Sequence, residues 1–341
     1  MRPILPLALA VSVAAGGCSH SNNADSAHAE SMKIERYDLE VSAYPALDSA
    51  SRADFRREYA DINGLVLQLY ALSHPEATTE ASDSMMSVYA RSRGVNMFGC
   101  AIRERLGSTD SIEAELGKAA SRSKDIMPEL KWPRLYGIIS TYDQAIILSG
   151  DSIALVGMNH YLGPDDEAYS GFDNYRRRDK RLAALPTQLT ESLLSSQWPY
   201  DLPETDATAL SRMLYGGAVA WITAKITGTE NAEDILGWNE AQAKWAEDNE
   251  SQAWEALINR KILYTTDEGA GMRLTQNAPA TSILHQDAPG RMGTWLGMRI
   301  VDAYMKSHPD TEPRQLLQRD FYGNVKTLVE SGYNLPGRRD R

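Results

Sequence analysis

Six histidines, at positions 20, 28, 74, 160, 285 and 308, are the first side chains to test for chemistry. A helical zinc hydrolase needs two histidines four residues apart with a glutamate beside the first. No pair here has that spacing. The chain also lacks a GxSxG nucleophile elbow and a phosphate-cradling GxxxxGK[ST] loop. Gly269-Ala270-Gly271 reads as a turn, and Asp165-Asp166-Glu167 lacks EF-hand spacing and reads as a turn leading into a solvated acidic face. With 46 acidic residues, no pair of carboxylates stands out as an acid–base couple. The motif evidence for an enzyme is therefore negative, and neither a metal nor a cofactor is expected. The alternative is a hydrolase whose ligands come from separated positions, such as His160 and His285 with a carboxylate.

The two cysteines carry a different chemistry. Arg2 precedes a short apolar run, Ile4 to Ala15, too short to cross a bilayer. Ala15-Gly16-Gly17-Cys18 then resembles a bacterial lipobox, with Ala15 where Leu is usual. That resemblance implies a signal peptide over 1–17 and acyl chains, palmitate among them, on Cys18 as the membrane anchor. Ser19 rather than Asp after the cysteine favours, by resemblance to known sorting rules, the outer membrane. Cys100 is left without a disulfide partner and reads as a buried structural thiol. The net charge of −11 leaves no surplus of Lys or Arg to neutralise phosphates, which argues against a nucleic-acid partner. Arg176-Arg177-Arg178 and Arg338-Arg339 sit beside acids and read as solvated faces.

The elements that must hold these residues begin after a small, polar tether over 18–32. A helical pattern runs from Ser51 through Phe55, Tyr59, Ile62, Val66 and Tyr70 towards His74-Pro75, and a second helix covers about Ser82–Arg91. Asp110 and Glu113 make a capping box for a third. The stretch 134–163 holds the strand chemistry: Gly150-Asp151 separates two aliphatic runs and predicts a hairpin, with Arg134–Thr141 as a further strand. Asp206 is read as capping a helix that contains Gly216-Gly217, a pair that marks close approach by a neighbour. A phase change between Trp245 and Trp254 predicts a break at Asp248-Asn249. From Asp287 and Pro289 a last long helix carries Gly293 and Gly297 on one stripe, so it too should pack tightly. The sum is an α+β fold, mostly helical, with a small antiparallel sheet covered by helices. One domain spans 33–333, and 334–341 reads as a disordered tail.

The folded part resembles the gliding-motility lipoprotein GldB family of the bacterial gliding and secretion apparatus. The likeness runs from Lys33 to Gln318 through KIERYD, GMNHYLG, Tyr175-Arg176-Arg177-Arg178, RMLYGGAVAWI, WAEDNESQAWEALINRKILYTTD and DAPGRMGTWLGMRIVDAYM, in that order. It implies a non-catalytic accessory lipoprotein held in the envelope by the lipid on Cys18 and acting by binding partner proteins or peptides. It also points to a distant kinship with zincin-like metallopeptidases, in which a helix beside a small sheet carries HExxH. The equivalent helix here, Asp206–Lys225, contains Ser211, Arg212 and Tyr215 and no histidine. A cleft between the hairpin and the 206–225 and 291–306 helices becomes the expected partner surface, with Asn159, His160, Tyr161, Arg212, Arg291 and Trp295 as its candidates.

Overall fold

A computed structural model describes residues 32–141, 144–229 and 231–333. The signal peptide, Cys18, all but the last residue of the tether, and the tail from 334 lie outside the described residues. Four strands form one sheet: β1 (Ile34–Glu35), β2 (Arg134–Ile138), β3 (Ile146–Ser149) and β4 (Ile153–Gly157), in the spatial order β1-β2-β4-β3. The hairpin stands where Gly150 predicts it. Gly150 adopts φ +58°, a left-handed conformation that a side chain resists, and β3 and β4 pair antiparallel around it.

The rest of the sheet is parallel, so it is mixed rather than the antiparallel sheet expected. Burial explains the order. All but the first residue of β2 and of β4 is buried, whereas every residue of β3 is only half-buried. A strand apolar on both faces belongs inside a sheet. The chain therefore leaves β2, crosses to the outer slot as β3, and returns as β4 to fill the gap. Among the described residues β3 is left as a free edge.

Helices cover this sheet and extend well beyond it. Before β2 come α1 (Tyr37–Ala43), α2 (Ser49–Glu58), α3 (Ala60–Ala71), α4 (Asp83–Ala90), α5 (Arg93–Arg105) and α6 (Asp110–Ile126). After β4 come α7 (Asn174–Arg178), α8 (Leu185–Gln197), α9 (Ala209–Thr227), α10 (Ala232–Leu236), α11 (Glu240–Asp248), α12 (Glu250–Asn259), α13 (Glu268–Thr275) and α14 (Met292–Ser307), followed by short turns of helix. The architecture is α+β and mostly helical.

Several local expectations shift. The pattern from Ser51 is two helices, because the backbone of Tyr59 leaves helical geometry between α2 and α3. Thr109, not Asp110, caps α6, and Glu113 is turned inward to accept from the Thr109 hydroxyl at 2.9 Å and the Ile34 N–H at 3.2 Å. That tie fixes β1 against α6. Thr208 rather than Asp206 caps α9, its hydroxyl oxygen accepting from the Ser211 N–H at 3.1 Å. Cys100 is exposed, not buried: α5 turns Val95, Phe98, Gly99, Ala101 and Ile102 inward, and residue 100 falls on the other side. The break at Asn249 between α11 and α12 stands as expected.

At the centre of the helical layer α9 crosses α14. A Cβ on Gly217 would sit far inside van der Waals contact with the backbone of Gly297 and Met298, and one on Gly297 would collide with the Met213 carbonyl. Gly217 and Gly297 are there because two backbones touch, whereas Gly293 makes room for Leu274 on α13 and Gly216 faces the Thr294 side chain. α8 and α13 pack on other flanks of α9, and α8 also packs on β3. Among the described residues no helix is long and apolar enough to cross a membrane.

Candidate functional site

The free edge of β3 faces a groove whose opposite wall is α8. In the antiparallel β3–β4 ladder the Gly157 N–H donates to the Ala145 carbonyl at 2.8 Å. Bonded and non-bonded positions alternate along such a pair, so residues 145, 147 and 149 bond inward. The N–H and C=O groups of Ile146 and Leu148 therefore point outward. No backbone group among the described residues bonds to them across that edge. A cavity of about 470 Å³ lies there, lined by Gln144, Ala145 and Ile146 on one side and by Gln188, Glu191, Ser192 and Ser195 on the other. Those four α8 residues are spaced three and four apart, which puts them on one helix face. The opposite face buries Leu189, Leu193 and Leu194.

A second cavity, of about 290 Å³, continues from the first, since Glu191 and Ser195 line both. Arg212 and Arg291 enter it together with Tyr200, Tyr215 and Thr294. Arg291 caps α14 in the left-handed region at φ +62°. Its guanidinium donates to Glu191 Oε1 at 2.7 Å and to the Ile235 carbonyl at 3.1 Å, tying α14 to α8 and α10. Arg212 lies over the Tyr200 ring, with its guanidinium carbon 5.0 Å from the ring centroid. Tyr200 is itself packed against Tyr215 and Tyr322, at 5.4 and 5.2 Å between ring centroids. Behind α8, burial raises the Asp179 carboxyl above the usual carboxylate range, with Glu191 adding to the rise and Arg291 opposing it.

The six expected surface residues separate into three groups. Arg212 and Arg291 share the cavity just described. Asn159, His160 and Tyr161 are buried behind the sheet. Asn159 accepts from the Ser140 N–H at 2.9 Å and donates to the Ser140 carbonyl at 3.2 Å, holding the chain as it leaves β2. His160 Nε2 donates to the Thr141 carbonyl at 2.7 Å, which makes Nδ1 the acceptor for the Lys180 ammonium. Tyr161 donates to Gln188 Oε1 at 2.7 Å, and Gln188 donates to the Asp179 carbonyl at 3.3 Å, so Tyr161 sets a groove residue from beneath. Burial pushes the Tyr161 hydroxyl pKa up. Trp295 instead packs against Trp238 and lines a separate cavity of about 790 Å³ with Trp221 and Lys225; it shares no lining residue with the groove.

His285 stacks on Trp245 and lies 3.7 Å from Asp287. Among the described residues no three His, Cys, Asp or Glu side chains gather as a metal-binding group, so His160 and His285 do not meet around a carboxylate. The helix beside the sheet edge is α8, and α9, the expected zincin equivalent, stands behind it. Sequence reasoning passed over α8 entirely. Its signal was present: Pro186 in the first turn and Leu185, Leu189, Leu193 and Leu194 at helical spacing.

A family model for the gliding motility protein GldB matches residues 19–335. The chain belongs to the GldB family. Comparison with curated proteins and with solved structures gave no match. GldB membership makes this a gliding-motility-related lipoprotein of the cell envelope. The GldB match covers β1 to α14 and both walls of the groove.

Proposed function

We propose that this GldB-family lipoprotein is a non-catalytic accessory subunit, anchored by acyl chains on Cys18 in the outer membrane, that holds an extended segment of an envelope protein partner in the β3–α8 groove. The observation that carries this reading is the free edge of β3. Unpaired N–H and C=O groups on a strand edge are a ready template for one more strand. The half-buried flank of β3 offers the apolar contact that such a strand needs, and the polar face of α8 offers side-chain hydrogen bonds to it. An extended segment bound this way gains main-chain hydrogen bonds without any bond being made or broken in it. The chemistry of the groove is compatible: among the described residues the one carboxylate lining both cavities, Glu191, is engaged by Arg291 at 2.7 Å.

The test is a photo-crosslinking residue at Ser192 in cells that carry the full chain. A discrete adduct with an envelope protein is expected, and Ile146→Pro, which removes an outward N–H and leaves the inward β3–β4 bonds in place, should abolish it. Adduct yield unchanged by Ile146→Pro would exclude strand addition. In the same cells Cys18→Ala should release the protein from the outer-membrane fraction. Turnover of a peptide by the purified protein, lost on Glu191→Gln, would replace this reading with a hydrolytic one.

A further inference from the structure

The deep end of the groove contains a cation that the fold itself leaves unused. Arg212 makes no hydrogen bond and no ion pair among the described residues, and its Nε is buried without a partner. Burying that Nε–H without an acceptor costs free energy, and among the described residues the rest of the fork is left without a protein partner. Flexibility does not account for it. Its guanidinium lies over Tyr200, which the Ser211 hydroxyl fixes at 2.7 Å, and its stem crosses Gly271, where any Cβ would collide with Arg212 Cδ. The glycine on α13 and the aromatic wall thus hold the side chain in one place and orientation.

Charge around it points the same way. Among the described residues the cavity lining has two guanidiniums, Arg212 and Arg291, against one carboxylate, Glu191, in a chain whose net charge is −11. Glu191 is already paired with Arg291. The remaining positive charge belongs to Arg212, with the exposed Ser195 at the same cavity to add a hydroxyl donor, while the buried Thr294 hydroxyl is spent on the Thr275 carbonyl at 3.3 Å. A planar fork of N–H donors matches a carboxylate with two parallel hydrogen bonds, and a low-dielectric wall strengthens them.

We infer that the Arg212 cavity is a carboxylate-binding subsite, which captures either the terminal carboxylate or an Asp or Glu side chain of the extended segment lying along β3. This rests on the groove reading above and adds its selectivity: the strand edge binds backbone without regard to sequence, and Arg212 chooses segments with an acidic group at one place. It also gives a registration mark, since strand addition alone leaves a bound segment free to slip.

The probe is a library of short random peptides, half with free and half with amidated ends, selected on the full-length protein in detergent micelles. Wild type should enrich peptides that have a carboxylate, and the amidated arm tells a terminal group from a side chain. Arg212→Gln should lower affinity for the enriched peptides by about ten- to a hundredfold while retaining weak, sequence-indifferent binding. Arg212→Lys should recover only part of it, because a point charge does not replace the fork. Ile146→Pro should lose acidic and neutral peptides alike. Enrichment without an acidic preference, or a preference that survives Arg212→Gln, overturns the subsite and leaves the groove standing. A wild-type protein that retains no peptide overturns both. Circular dichroism and thermal melting of each variant separate loss of binding from loss of fold.

Discussion

Two stretches of α9, separated by about 7.5 Å of helix rise, are built on opposite plans. At Gly217 the helix gives up its side chain so that α14 can lie backbone against backbone, and nothing has room to enter. At Arg212 it projects a long cation, and the neighbouring helix gives up its side chain instead, at Gly271. The same device, a glycine where elements meet, seals one contact and holds a cavity open at the other. The difference is which partner keeps its side chain. Tight closure at the first place also makes the second rigid, because α14 carries Arg291 into the cavity from the other side.

The comparison breaks most visibly at the sealed contact. Gly217→Val introduces a β-branched side chain where even a Cβ meets the Gly297 backbone, and neither helix can yield without moving its flanking packing. A loss of about 3 kcal/mol or more is expected, read as a lower urea midpoint. Arg212→Ala, in contrast, removes a stacking contact and no hydrogen bond, so its cost should stay near about 1 kcal/mol or below. Similar losses for the two variants would mean that the cavity is structural, like the crossing.

A smaller effect is expected at Arg291, where strain and pairing compete. Arg291→Met strands Glu191, whose side chain is only 22% exposed, and about 1–2 kcal/mol should be lost. Arg291→Gly strands Glu191 equally but removes the cost of φ +62° for a residue with a Cβ. Net of glycine's added freedom in the unfolded chain, it should be more stable than the Met variant by about 0.5–1 kcal/mol. Equal stabilities, measured by denaturation in the same buffer, would show that Arg291 stores no backbone strain. An arginine held in a costly conformation by its own ion pair is consistent with a side chain placed for the cavity.

How much of this was legible in the sequence follows from whether each feature is local. Gly150 between two aliphatic runs specified its own turn, and Gly216-Gly217 and Gly293…Gly297 announced close contacts, although not that Gly217 meets Gly297 while Gly293 meets Leu274 on α13. The mixed sheet was hidden because β1 is two residues long and pairs with β2 across a hundred residues of helix, a choice set by burial and not by pattern. The exposure of Cys100 follows from the turn of α5, a helix with no sequence reading behind it, so the general burial of cysteine misleads there. Arg212 and Arg291 were picked out, but what makes Arg212 different lies on Gly271 and Tyr200, both remote from it in pattern. Asn159 and His160 drew notice for their chemistry and serve the backbone instead. The groove's own helix, α8, was missed for want of a charged or aromatic landmark, although its leucines were regularly spaced.

The smallest expected effect concerns the carboxyl behind the groove. Burial raises the Asp179 pKa, so the folded state holds that proton more tightly than the unfolded chain does. Between the ordinary carboxylate value and the raised one, the folded state therefore binds more protons, and stability must fall as pH rises through that window. Asp179→Asn removes the titration and keeps the shape. The stability of wild type relative to Asp179→Asn should accordingly improve as pH falls from neutrality towards about 4, the ordinary range of an aspartate. Melting temperatures of the two proteins across that range read the change. A constant difference would mean that Arg291, Arg181 and Arg178 offset the cost of burial in full, and that the groove's cations are shared with Asp179 rather than reserved for what enters the cavity.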